Sequence, residues 1–219
     1  MQATEQRLRT SLNEGLQQLK LNLTAVAEDK LLNYLKLLDH WNGAFNLTAV
    51  QDPQEMIYRH LLDSLAVGPH LTGQRFIDVG TGAGLPGIPL AIMFPDREWY
   101  LLDSNGKKTR FLFQVKTALS LDNITICHHR VEHFQPEQLF DGVLSRAFAS
   151  LLAMVHGCSH LLSANGFFLA MKGRWPEREL EDIEGLASLV ASHSLEVPFL
   201  GEQRHLLLLA AQHPNRDTP

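Results

Sequence analysis

The chain has 219 residues, is 45% hydrophobic and 20% charged, and carries a formal net charge of -5. That composition suits a soluble globular protein of one ordinary domain, with or without a small appendage. It also excludes several classes. No apolar run approaches the ~20 residues that span a bilayer, residues 1–20 are too polar and mixed in charge for a secretory signal, and two cysteines without a CxxC, Cys127 and Cys158, exclude a disulfide framework or a zinc ribbon. A cytoplasmic enzyme without membrane or metal partners, and monomeric, is the expectation.

Residues 1–72 read as a helical segment. Leu31, Leu32, Leu35, Leu38 and Trp41 recur at helical spacing between Glu28 and Asn42, and Gly43 stops the run. Asp52-Pro53-Gln54-Glu55 starts another helix: Asp52 caps, Pro53 suits the first helical position and Glu55 closes a capping box. That helix carries Met56, Leu61, Leu62, Leu65 and Ala66 and ends near Gly68-Pro69.

From residue 73 onward strands alternate with helices. Strands are expected at Arg75–Val79, Glu98–Leu102, Asn123–Cys127, Gly142–Leu144 and Gly166–Met171. Helices are expected at Leu85–Phe94, Asn105–Leu119, Ser150–Leu162 and, as an acidic helix, Glu177–Val190. Leu195–Phe199 and His205–Ala211 then read as two strands too close for a crossover, hence an antiparallel hairpin. Right-handed βα units with such an ending predict a seven-stranded, mostly parallel sheet with helices on both faces, the α/β, Rossmann-like shape of class I S-adenosylmethionine methyltransferases. The division is therefore 1–72, a helical extension packed on the core, and 73–219, the Rossmann-like domain.

The most informative motif is Asp78-Val-Gly80-Thr-Gly82-Ala-Gly84, which leaves the first strand and opens a helix. Open α/β sheets bind ligands at that edge, and glycines let backbone lie directly against the ligand. Counted from Gly80, the dinucleotide fingerprint GxGxxG fails at Leu85. Counted from Gly82 it matches through Gly84 and Gly87, two residues late relative to the strand. The DxGxGxG form is that of S-adenosylmethionine enzymes, and no GKS or GKT follows to make an NTPase loop. Asp103 ends the second strand, where a carboxylate accepts both ribose hydroxyls of an adenosine, in NAD enzymes as well. After the third strand, Val131 and Glu132 stand where an adenine ring and its amino group would lie, or simply begin a solvated helix.

Asn46-Leu47-Thr48, Arg59-His60-Leu61-Leu62-Asp63-Ser64, the block from Asp78 to Pro89, Leu102-Asp103-Ser104-Asn105-Gly106-Lys107-Lys108-Thr109-Arg110 and Ser145-Arg146-Ala147 resemble the RsmG family, also called glucose-inhibited division protein B. The likeness covers about residues 20 to 210, with the blocks in family order. It implies S-adenosylmethionine as cofactor and methylation of a guanine N7 in 16S ribosomal RNA or the small ribosomal subunit. It further implies that Gly80, Leu85, Val131, Glu132 and Arg146 touch or border the cofactor.

Guanine N7 has an in-plane lone pair and no proton, so its methylation needs alignment rather than a general base. Other acceptors fit less well. Cytosine C5 would need a cysteine nucleophile, and both cysteines lie within expected core elements. Exocyclic amines use an Asn/Asp-Pro-Pro-aromatic motif after the fourth strand, where this chain has Ser145-Arg146-Ala147-Phe148. Arg146 is the positioning candidate, for a phosphate, the base O6 or the cofactor carboxylate. The acidic excess falls in residues 176–219, with 3 Lys+Arg against 8 Asp+Glu, whereas residues 76–175 hold 9 against 8. The expected RNA footprint is accordingly Lys107, Lys108, Arg110, Arg146, Lys172 and Arg174, with Arg59 and His60 from the helical segment. His156 and His160 have metal-pair spacing but no third ligand, so no metal is expected. The rival readings are an NAD-dependent oxidoreductase and a methyltransferase fold retained only as a ribosome-assembly binding module.

Overall fold

The computed structural model describes residues 2–146 and 148–212; Ala147 of the Ser145-Arg146-Ala147 block lies outside the described residues. Helices α1 (Gln2–Gln18) and α2 (Ala25–Phe45) come first, α2 capped by the Thr24 side chain on the Ala27 amide. Asp52 caps α3 (Pro53–Met56), which runs through a π-helical stretch, Ile57–Leu62, into α4 (Asp63–Leu65). π-Turns inside helices frequently mark functional positions, and this one presents Arg59 and His60.

Seven strands follow: β1 (Arg75–Val79), β2 (Glu98–Leu102), β3 (Ile124–Cys127), β4 (Phe140–Ser145), β5 (Leu162–Lys172), β6 (Ala187–Ser194) and β7 (His205–Ala211). Their order in the sheet is β3-β2-β1-β4-β5-β7-β6, with β7 antiparallel to both β5 and β6 and all other pairs parallel. Helices α5 (Gly87–Met93), α6 (Gly106–Leu119) and α7 (Leu151–Cys158) connect the parallel strands. The seven-stranded, mostly parallel sheet expected from the sequence is present.

Alternation along the strands divides the core between two faces. Phe76, Trp99 and Leu101 join α2, α5, α6 and the π-turn in one buried cluster, whereas Ile77, Val79 and Leu102 join α7 in the other. The helical extension belongs to the first cluster through Leu12, Leu31, Tyr34, Leu38 and Leu61. Tyr34 is wholly buried and its hydroxyl donates to the Ala83 carbonyl at 2.8 Å, bracing the glycine loop from behind.

Several boundaries differ from expectation: β4 and β5 are longer than expected, α7 is shorter, and three further departures have a clear physical cause. α5 starts at Gly87 rather than Leu85, because the loop itself consumes residues 80–86: Gly80, Gly82 and Gly84 have positive φ, and Gly84 and Leu85 amides both bond to Thr81 O. The acidic helix stops early; α8 is Glu177–Glu181, and a turn with Gly185 at φ 78 leads into strand β6. Leu195–Phe199 is not a strand but the connection to β7, with Leu195 and Val197 buried against the core. The physical reason is that β6 is an edge strand whose side chains are mostly exposed, so it shows no apolar alternation. Replacing Tyr34 by Phe leaves the buried Ala83 carbonyl without that donor and should lower unfolding free energy by about 1–3 kcal/mol. Urea denaturation of Y34F with an unchanged m-value measures it; a midpoint equal to that of the parent chain contradicts the brace.

Candidate active site

The glycine loop is built around a buried carboxylate. Asp78, at the end of β1, is fully buried, and its Oδ2 accepts from the Thr81 hydroxyl at 2.7 Å and the Gly87 amide at 2.9 Å. It therefore stands beneath the loop as its organiser and does not line the cleft above. Burial raises its pKa from 3.8 to about 6, against the pull of the Thr81 and Gly87 bonds. Gly84 and Gly87 have no space for a Cβ: one at Gly84 would strike Ile88 and Leu112, one at Gly87 Leu101 and Asp78. The match to GxGxxG counted from Gly82 is thus explained by helix–strand packing. Gly82 differs; a Cβ there would find nothing nearer than 3.9 Å, and its φ of +62 is what demands glycine.

Above the loop lies a cleft lined by Gly80, Leu102, Asp103, Val131, Glu132 and Phe148, among others. Asp103 reaches it from the end of β2. Its Oδ2 accepts from the Gly82 amide at 2.9 Å and its Oδ1 from the Asn105 amide at 2.8 Å, which aims the carboxylate across the loop. Each oxygen keeps a lone pair for a ribose hydroxyl. Lys108 stands 3.7 Å from Oδ2. Val131 and Glu132 begin a 3-10 turn after β3 and form the far wall. Apolar Leu102, Val131 and Phe148 with one carboxylate at the sugar end fit an adenosine. Leu85 is buried within the loop and does not reach the cleft.

A second cleft opens on the other side of β4, lined by Arg59, His60, Asp63, Arg146, Lys172 and Arg204, among others. At its base Asp63, 4% exposed, receives Arg146 Nη1 on Oδ2 at 3.2 Å and Arg204 Nε on Oδ1 at 3.0 Å. Arg146 Nη1 also donates to the Arg59 carbonyl at 3.1 Å. Burial raises the Asp63 pKa while Arg146 and then Arg204 oppose it. Arg59 pairs with Glu55 and Glu202, and Lys172 with Glu179 at 2.7 Å.

Of the residues expected to touch RNA, the structure brings Arg59, Arg146 and Lys172 together at this cleft. Arg174 is exposed just beyond it, and Lys107, Lys108 and Arg110 lie at the start of α6 on the cofactor-cleft side. His60 is corrected: it is 4% exposed, its Nε2 lies 2.8 Å from the Thr48 hydroxyl, and burial lowers its pKa to about 4, so it is an uncharged packing residue and not a phosphate contact. This contact also joins the Asn46-Leu47-Thr48 and Arg59–Ser64 blocks. Arg204 was missed from sequence because its partner Asp63 lies far upstream. Cys127 and Cys158 are buried, and burial pushes their thiols up to about 11 and about 12, which leaves no thiolate nucleophile. Among the described residues no group of three or more His, Cys, Asp or Glu could hold a metal ion, and no helix is long and apolar enough to cross a membrane.

The sheet order, the glycine loop at β1 and the acid at the end of β2 define a Rossmann-like methyltransferase. Solved structures agree on the fold: the N-methyltransferase NodS from Bradyrhizobium japonicum WM9, in complex with S-adenosyl-L-homocysteine, superposes with a TM-score of 0.55 at 11% identity over 80% of this chain and 100% of that one. A ribosomal protein L11 methylase from Lactobacillus delbrueckii subsp. bulgaricus gives 0.54 at 15% identity over 69% and 77%. The model of the family GidB, rRNA small subunit methyltransferase G, matches residues 27–207. Ribosomal RNA small subunit methyltransferase G of Saccharophagus degradans is 53% identical over 93% of this chain and 92% of its own, and that of Shewanella halifaxensis 51% over 94% and 99%. The chain belongs to the rRNA small subunit methyltransferase G family.

The buried Asp78 gives a pH signature. Its folded-state pKa near 6 lies above the ordinary 3.8, so between those values the folded chain binds more protons than the unfolded one, and the stability Asp78 contributes is lost as pH rises through 6. The unfolding free energy of Asp78→Asn, relative to the parent chain, should therefore climb from about pH 4 to about pH 7. A difference that is flat or declining over that range, read from urea curves, contradicts the assignment.

Proposed function

We propose that the protein transfers the methyl group of S-adenosylmethionine to N7 of a guanine in 16S ribosomal RNA, in the cytoplasm and as a monomer. Residues 1–72 act as a helical extension of the catalytic domain, 73–219. The observation that carries this reading is family membership together with an intact adenosine cleft beside a cation-lined second cleft. The adenosine cleft by itself would also suit NAD; it is family membership that favours a methyltransferase over an NAD-dependent oxidoreductase.

The cofactor brings a methyl group on a sulfonium centre, an electrophile strong enough for a neutral ring nitrogen. Gly80, Gly82 and Gly84 allow close backbone approach, Asp103 holds the ribose, and Val131 and Glu132 flank the adenine. Asp78 and Leu85 support this loop from below. Guanine N7 has no proton to remove, so the protein needs no base, and its contribution is alignment and exclusion of water. Arg146 is the positioning residue. It follows β4 and lines the second cleft, held by Asp63 and the Arg59 carbonyl. Arg59, Lys107, Lys108, Arg110, Lys172 and Arg174 form the cationic rim for the RNA backbone.

Ribosomal RNA from cells lacking the protein, incubated with it and labelled S-adenosylmethionine, should gain one methyl in the 16S species. Borohydride–aniline cleavage should then yield one new cut. Label without a cut removes N7 as the acceptor. No label on naked RNA, subunits or assembly intermediates favours the binding-module reading. Arg146→Ala should lower kcat/KM about 10–100-fold with S-adenosylhomocysteine binding retained; unchanged turnover excludes a positioning role.

A further inference from the structure

We propose that Arg59 and Arg204 form a binding site for one backbone phosphate of the RNA substrate, and that the Glu202 carboxylate fills this site as an internal substitute until RNA displaces it. The inference rests on the reading that the substrate is RNA.

Glu202 lies in the connection between β6 and β7. Its Oε1 is 2.9 Å from Arg59 Nη2 and its Oε2 is 3.0 Å from Arg204 Nη2. Two guanidinium groups from remote parts of the chain thus converge on the two oxygens of one anion. A phosphodiester offers two oxygens at nearly the same spacing and the same single negative charge, and guanidinium forks suit either group. Exchange of one anion for the other leaves the local charge balance unchanged.

The four acids around the second cleft are not equivalent. Asp63 is 4% exposed and holds both Arg146 and Arg204, so it is part of the frame. Glu179 accepts from the Leu151 amide at 2.7 Å as well as from Lys172, which ties it to α7. Glu55 pairs with Arg59 one turn along the same helix. Glu202, like Asp63, bridges two cations, but it is 44% exposed, and among the described residues its carboxylate bonds only to these two arginines. It can swing into water without uncovering a buried charge, since exposed pairs contribute little. The arginines cannot follow it. Arg204 stays fixed by Nε on Asp63, and Arg59 by Glu55 and the helix that carries it. A preformed cationic pair therefore remains.

The position is appropriate for substrate. Both arginines line the cleft on the β5–β7 side of β4 together with Arg146, whereas Asp103 and Gly80 line the cleft on the other side. A phosphate at Arg59 and Arg204 would anchor the strand beside the base presented to the cofactor, and would carry no sequence information itself.

The test is equilibrium binding of the full chain to two RNAs, an unmethylated 16S transcript and a random-sequence RNA of equal length, with retained S-adenosylhomocysteine binding as the check on folding. Glu202→Gln removes the competing charge and should tighten both RNAs by the same factor, roughly three- to tenfold. Arg59→Gln should weaken both and lower the salt slope by about one. In the Arg59→Gln background, Glu202→Gln should add no more than a residual fraction of its gain. Unchanged or weaker binding by folded Glu202→Gln overturns the proposal, as does the same gain with and without Arg59. Inorganic phosphate that binds Glu202→Gln more tightly than the parent chain, with no gain on either RNA, assigns the site to free phosphate and overturns the RNA reading. Tightening on both RNAs without methyl transfer to 16S would remove the proposed function while leaving the phosphate site standing; transfer without tightening would do the reverse.

Discussion

A carboxylate buried as deeply as that of Asp63 has to be paired, because the cost of an unmatched buried charge is several kcal/mol in order of magnitude. Its two partners come from the end of β4 and the start of β7, so a single electrostatic requirement joins the helical extension to the middle and to the antiparallel end of the sheet. Arg146 and Arg204 are immobilised as a consequence. The second cleft is essentially the space these two arginines frame, and the bridge from Glu202 exists because Arg204 is held where it is.

The cofactor side follows a parallel logic with hydrogen bonds. Asp78 under the loop, Asp103 across it and the Tyr34 hydroxyl behind it each accept from or donate to loop backbone. The loop needs these supports because its three positive-φ glycines carry no side chains to pack it in place. The two acids have different fates. Asp78, wholly buried, is consumed by structure, whereas Asp103 stays at the cleft with lone pairs to spare. The two clefts lie on opposite sides of β4, and Arg146, which follows that strand, lines the second.

Net charge has little bearing on the functional edge of this protein. The chain is acidic overall, yet Arg59, Arg146, Lys172 and Arg204 meet at one cleft, each neutralised by a carboxylate from the protein itself. Such self-paired surfaces hold their cations in defined geometry, and a polyanion gains contact with them only by replacing an internal partner. The acidic excess of the C-terminal region includes Glu202 and Glu179, which sit directly on those cations.

The sequence by itself determined the parallel αβ order, the bounds of β1, β2 and β7, the start of α6 to within one residue, the glycine loop and the acid at Asp103. Each of these is local: apolar runs of strand length, turn residues, a cap and a fingerprint lie within a few neighbouring positions, and the family blocks sit on the same stretches. Tertiary structure alone decided the rest. β6 is recognisable only through its pairing with β7, since an exposed edge strand has no alternation to display and its acidic, helix-favouring approach suggests a longer α8. His60 is buried at the wall of the second cleft with Thr48 as its partner, a placement that no local pattern reveals. Arg204 and Glu202 belong to no local pattern; their roles arise from contacts with Asp63 and Arg59, more than a hundred residues upstream, and a charge pair closed across that much chain leaves no periodic trace in the sequence.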